Sequence, residues 1–176
     1  MAISAEDIKE LREMTSCGVI ECKKALEQAK GDVQKAKKIL EQRGLEIAQK
    51  KGSRAAKEGR VEAYIHLGSK IGVLVEVNCE TDFVAKNEDF CKFTKDVSLQ
   101  IAASAPKFVN RKDIPADVLK GHADQDAFCK EQCLLEQSFI KDPKITIQDC
   151  LNQLVAKIGE NIVIGRFIRY KVGELE

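Results

Sequence analysis

The chain has 176 residues and a formal charge of +1, with 29 Lys and Arg against 28 Asp and Glu. Hydrophobic residues are 44% and charged residues 32%, the balance of a globular protein with one compact domain or one domain and a small appendage. The near-cancelled charge argues against a protein whose main task is to coat nucleic acid. No apolar run approaches the roughly 18 residues of a membrane span, and the N-terminal MAISAEDIKEL lacks the basic and apolar regions of a signal peptide.

The first 44 residues predict three short helices. Ser4 caps the first, with Asp7 in a capping-box position, and Ile8, Leu11 and Thr15 follow at helical spacing. Thr15-Ser16-Cys17-Gly18 reads as a turn. Cys22, Ala25, Leu26 and Ala29 share a face of the second helix. Gly31 suits its left-handed end, and Asp32 suits the N-cap of the third. Val33, Ala36, Ile39 and Leu40 line that helix, and Gly44 is expected to close it.

Residues 45–59 form a basic connector, with Lys50, Lys51, Arg54 and Lys57 and weak apolar periodicity. A hairpin follows: Val61, Ala63, Ile65 and Leu67 alternate, Gly68-Ser69-Lys70 turns, and Ile71, Val73, Val75 and Val77 alternate again. A long helix over about 87–104 carries Phe90, Phe93, Val97 and Ile101, and ends at Pro106. Pro115 starts a further helix. Phe128, Leu134 and Leu135 suggest a short helix and then an extended piece, and Asp142-Pro143 suggests a turn. Thr146 caps a helix striped by Leu151, Leu154, Val155 and Ile158, ended by Gly159. The last element, 161–172, alternates Ile162, Ile164, Arg166, Ile168 and Tyr170 as a third strand. The predicted class is α+β: a three-helix N-terminal module, then a small three-stranded antiparallel sheet packed by helices. The predicted domains are 1–44, a connector at 45–59, and a core at 60–176.

No catalytic constellation emerges. There is no P-loop and no G-x-G-x-x-G. The two histidines, His66 and His122, are far apart, and the seven cysteines include no CxxC pair. The odd, sparse thiols read as reduced cysteines of a cytosol-like compartment, several acting as small core hydrophobes, with no metal site and no cofactor expected. The residues point to a binding protein rather than an enzyme.

Two stretches carry a resemblance. One is Leu11-Arg12-Glu13-Met14-Thr15-Ser16-Cys17-Gly18-Val19-Ile20-Glu21-Cys22-Lys23-Lys24-Ala25-Leu26, followed by Gly31-Asp32 and Lys35-Ala36. The other is Val75-Glu76-Val77-Asn78-Cys79-Glu80-Thr81-Asp82-Phe83-Val84-Ala85-Lys86-Asn87, supported by Lys107-Phe108-Val109 and by Val155-Ala156-Lys157-Ile158-Gly159-Glu160-Asn161-Ile162. Together they resemble translation elongation factor Ts over essentially the whole chain, most weakly at 118–133.

That resemblance implies a cytoplasmic guanine-nucleotide exchange factor for elongation factor Tu, engaging its GDP-bound and nucleotide-free forms. It implies a ubiquitin-associated-like N-terminal module that docks on the Tu G domain through Val19 and Ile20, where family members often carry two methionines. It implies that Thr81, Asp82, Phe83 and Val84 press beside the nucleotide and dislocate its Mg²⁺. The chain resembles the short, single-core form of the family, with 118–133 shorter still, which implies a homodimer through the sheet region. Nucleic acid and membrane are not expected as partners. The alternative is a non-catalytic adaptor with a ubiquitin-associated-like module. A third possibility, RNA binding by the basic connector, lacks an aromatic platform, with aromatics at only 5%.

Overall fold

The computed structural model describes residues 3–15 and 17–174. Their contacts divide into two compact units. One extends through Arg54 and includes Asn152–Asn161; the other is Ala55–Leu151 with the residues from Ile162 onward.

The first unit contains α1 (Ala5–Thr15), α2 (Val19–Gln28) and α3 (Val33–Lys51). The predicted capping box forms: the Asp7 N–H donates to Ser4 Oγ at 3.0 Å, and the Ser4 N–H to Asp7 Oδ2 at 3.2 Å. Asp32 caps α3 by accepting the Lys35 N–H at 2.9 Å, which holds its carboxyl below the usual range. Gly31 takes the left-handed φ of +87° that the α2–α3 junction requires. Leu11, Cys22, Ala25, Leu26, Ala36 and Leu40 are the buried core. Ser16, part of the predicted 15–18 turn, lies outside the described residues.

Gly44 does not close α3. The helix runs on through 45–51, and Gly44 is buried inside it. A Cβ built there lies 3.6 Å from Ala156 Cβ, an ordinary contact, so this glycine is an interior helical position rather than a stop. Mid-helix glycine costs roughly 0.5–1 kcal/mol relative to alanine. Packing overrides that weak propensity. Because the added methyl meets only ordinary contacts, Gly44→Ala is expected to stabilise the fold by about 0.5–1 kcal/mol in a denaturant titration.

In the second unit, β1 (Glu58–Ile65), β2 (Ile71–Cys79) and β5 (Val163–Lys171) form an antiparallel sheet of order β1-β2-β5. The short helix α4 (Asp82–Ala85) follows β2, then α5 (Glu88–Ser104), which packs on β1 and β2. Val73, Val75 and Val77 of β2 are buried, as are Phe90, Phe93, Val97 and Ile101 of α5. A 3-10 turn at Arg111–Asp113, α6 (Ala116–Lys120), α7 (Gln125–Gln132) and a 3-10 turn at Leu134–Glu136 lead to a two-stranded ladder. Its strands are β3 (Ser138–Phe139) and β4 (Asp142–Thr146), and α8 (Ile147–Ile158) follows. Buried Gln100 ties α5 to this ladder: its Nε2 donates to the Ser138 carbonyl at 3.2 Å, and its Oε1 accepts the Ile140 N–H at 2.9 Å.

Several elements depart from the sequence reading. Leu67 is not in the first strand but in the turn, fully in solvent. Asp142-Pro143 is not a turn but opens β4; a two-stranded ladder has only edge strands, which tolerate the missing proline N–H. The two apolar rows of the hairpin face opposite ways. Val61 pairs with Glu76, Ala63 with Leu74 and Ile65 with Gly72, so the β1 row shares the face opposite to Val73, Val75 and Val77.

The alternation of β5 also breaks. Val77 pairs with Ile164 and Glu76 with Arg166, which leaves Gly165 as the extra residue of a bulge. A Cβ at Gly165 would lie 2.8 Å from Asn78 Oδ1. Ile162 and Ile164 are therefore buried, whereas Arg166 and Tyr170 are exposed beside half-buried Ile168. Arg166 Nε lies 2.8 Å from Glu76 Oε2. Asn78 Nδ2 first, and then Arg166, hold the Glu76 carboxyl below its usual range.

Candidate partner interface

The Thr81–Val84 segment forms a single, well-fastened helical turn between β2 and α5. Thr81 is its N-cap, and the Thr81 hydroxyl oxygen accepts the Val84 N–H at 3.5 Å. Beneath it, the buried Cys79 thiol donates to the Thr81 carbonyl at 3.1 Å. Asn87 then caps α5, accepting the Asp89 N–H at 2.9 Å and the Phe90 N–H at 3.4 Å. The turn is thus capped at its entry and followed at once by a second capped helix, which holds its backbone in place.

On this fixed turn Phe83 is 79% exposed. A core role at the strand–helix junction is excluded, because a buried aromatic would lose most of its surface to packing. Thr81 and Asp82 are also exposed, and Val84 is half-buried. Lys86 Nζ donates to Asp82 Oδ2 at 2.7 Å, and this hydrogen bond lowers the Asp82 carboxyl below its usual range. The ionised pair spans one helical turn, acid before base, the better order for the helix dipole. The site presents an apolar tip beside a fixed carboxylate–ammonium pair.

Val19 and Ile20 lie in the other compact unit, at the first two positions of α2. Val19 is 49% and Ile20 68% exposed, so neither packs in the three-helix core. Gly18 is the N-cap and supplies no side-chain acceptor. Met14, near the end of α1, is also exposed. Met14, Val19 and Ile20 are thus exposed apolar residues at the end of α1 and the start of α2.

The outer sheet face is a third exposed apolar surface. It carries Val61, Ala63 and Ile65 of β1, Leu74 of β2, and Ile168 and Tyr170 of β5, all except Ile168 exposed. Sequence alternation located these strands but missed this face, because it did not report register. It also missed a cluster of Cys129, Cys133 and Glu136, whose legible signal was the one-turn spacing of the two cysteines. Among the described residues no helix is long and apolar enough to cross a membrane.

The pattern of the Elongation factor TS family matches residues 2–126 and 124–174. The two matches meet inside the stretch expected to be shortened. The chain is 48% identical to elongation factor Ts of Caldanaerobacter subterraneus subsp. tengcongensis, covering 98% of each chain. It is 49% identical to that of Thermoanaerobacter sp., covering 98% of this chain and 96% of the relative. It is 48% identical to that of Thermodesulfovibrio yellowstonii, covering 100% and 99%. The first alignment runs over 195 positions against 176 residues here, so that relative carries residues this chain lacks. With the family pattern matched along nearly its full length, the chain belongs to the elongation factor Ts family, whose members are factors of translation elongation.

Proposed function

We propose that this protein is the guanine-nucleotide exchange factor of a cognate elongation factor Tu, acting in the cytosol by binding rather than covalent chemistry. The observation that carries this reading is Phe83, exposed on a capped and anchored turn within a family-typical segment. Phe83 enters the Tu G domain beside the nucleotide, with Thr81, Asp82 and Val84 around it, and displaces groups that hold Mg²⁺. The ion bridges the phosphates to the protein, so losing its ligands weakens GDP binding. Val19 and Ile20 dock the helical unit on the same domain. Linkage makes the effect reciprocal: GDP weakens binding of this protein by the factor by which the protein weakens GDP.

The test is release of fluorescent GDP from cognate Tu with substoichiometric protein. Fast release of the whole GDP pool supports exchange. Binding to Tu without acceleration leaves the adaptor reading in its place.

The outer sheet face supports a homodimer. Contiguous exposed apolar surface of this kind marks an interaction site, and a second copy offers a self-complementary face. Leu74 sits on the central strand of this face. Burying leucine contributes roughly 1.5–3 kcal/mol, so Leu74→Lys is expected to weaken self-association at least about tenfold. Light scattering across a dilution series reads this directly. A wild-type chain that is monomeric at high concentration removes the proposal.

A further inference from the structure

Cys129 and Cys133 lie one helical turn apart, Cys129 on α7 and Cys133 at its C-terminal boundary. Both are fully buried, and with Ile114 they form a small apolar cluster edged by Phe108, Leu119 and Phe128. Glu136 follows in the next 3-10 turn. The two sulfurs and a Glu136 oxygen all lie within 4.8 Å of one another. Zinc bonds of about 2.3 Å to sulfur and 2.0–2.2 Å to oxygen place tetrahedral ligand atoms about 3.5–3.8 Å apart. A small contraction of this set therefore surrounds one ion.

The backbone around the thiols is held independently of any ion. The Lys107 and Phe108 N–H groups donate to the Gln132 carbonyl, each at 3.0 Å, and the Leu134 N–H donates to the Phe108 carbonyl at 2.9 Å. Glu136 is held from behind: Arg111 Nε and Nη2 donate to its two oxygens at 2.6 and 2.9 Å, and Arg111 also pairs with Asp126 at 2.8 Å. An ionised carboxylate has about four lone-pair sites, so the guanidinium leaves acceptor capacity for an ion. Hydrogen bonding of a ligating carboxylate by a fixed partner is the usual way such ligands are oriented.

We propose that Cys129, Cys133 and Glu136 bind one thiophilic divalent cation of the zinc class, with a fourth position open to water. Binding exchanges the two thiol protons, released to solvent, for two sulfur–metal bonds. Two thiolates select such an ion over Mg²⁺ or Ca²⁺. The ion clamps α7 to the following 3-10 turn, in the stretch where the two family matches meet. Where little buried apolar surface is available, a metal supplies folding energy that packing cannot. The absence of CxxC spacing does not exclude this site, because helical i,i+4 spacing brings the sulfurs together equally well.

The experiment titrates the reduced, chelator-stripped full chain with Co²⁺ and follows thiolate-to-cobalt charge-transfer absorption, then displaces Co²⁺ with Zn²⁺. One equivalent of Co²⁺, displaced by Zn²⁺ and not by Mg²⁺, is expected. Cys129→Ser should weaken binding by about 100-fold and Glu136→Gln by about tenfold. Cys91→Ser, on α5, should change nothing. Glu136→Gln keeps both thiols and serves as the readout if Cys129→Ser does not fold. No stoichiometric band in the wild-type chain overturns the proposal. So does a band that Cys129→Ser and Glu136→Gln leave intact, or one that Cys91→Ser abolishes.

Discussion

Phe83→Ala is expected to slow GDP release from elongation factor Tu by about ten- to a hundred-fold while leaving the fold unchanged. Burying a phenylalanine side chain contributes roughly 1.5–3 kcal/mol, and each factor of ten in GDP affinity costs about 1.4 kcal/mol. One wedge thus supports one to two decades, and the remaining acceleration comes from the other contacts. Folding is spared because Phe83 is already 79% exposed in the free protein, and the turn beneath it is fastened by Thr81, Cys79 and Asn87 rather than by the ring. Stopped-flow release of labelled GDP, beside thermal unfolding of the same samples, separates the two effects. A folded Phe83→Ala protein that exchanges at the wild-type rate would assign the displacement to another residue.

Val19→Asp is expected to weaken docking on Tu by about a hundred-fold or more. Its physical basis differs from that of Phe83. The substitution falls at the first residue of α2, behind an N-cap that offers no side-chain acceptor. A carboxylate there interacts favourably with the exposed N–H groups and the helix dipole. The helical unit therefore keeps its fold. At an apolar interface the same carboxylate must lose its water without gaining a partner, which costs several kcal/mol. Titration calorimetry against Tu, with circular dichroism of the free variant, provides the check. Melting of the N-terminal helices by Val19→Asp would identify Val19 as core; unchanged affinity would move the docking surface elsewhere. Ile20→Asp, at the more exposed of the two positions, is expected to act in the same direction.

The elements governed by local chemistry were readable in advance. The Ser4–Asp7 box, the Asp32 cap and the Gly31 junction depend on neighbours within a few residues, and each formed; the two hairpin strands were marked by their own alternation and the short turn between them. The stop at Gly44 failed because helix propensity is weak beside packing, and Gly44 is where Ala156 approaches α3. The stretch 107–145 is the least legible from sequence. Its elements are short, so periodicity had few turns to report, and its ladder depends on a pairing across residues 138–146.

The sequence by itself determined the α+β class, the family and the helical N-terminal module, and it singled out Thr81–Val84 and Val19–Ile20 as candidate contact segments. Those properties reside in residue order and nearest-neighbour chemistry. Only the tertiary structure decided which surfaces are available. The β1–β2 register turned Val61, Ala63 and Ile65 away from the core, and the bulge at Gly165 turned Ile164 inward and Arg166 outward, because shifting a strand by one residue exchanges its faces. The same level of organisation left Phe83 in solvent and gathered Cys129, Cys133 and Glu136 around one point, since exposure and side-chain convergence depend on which segments pack together.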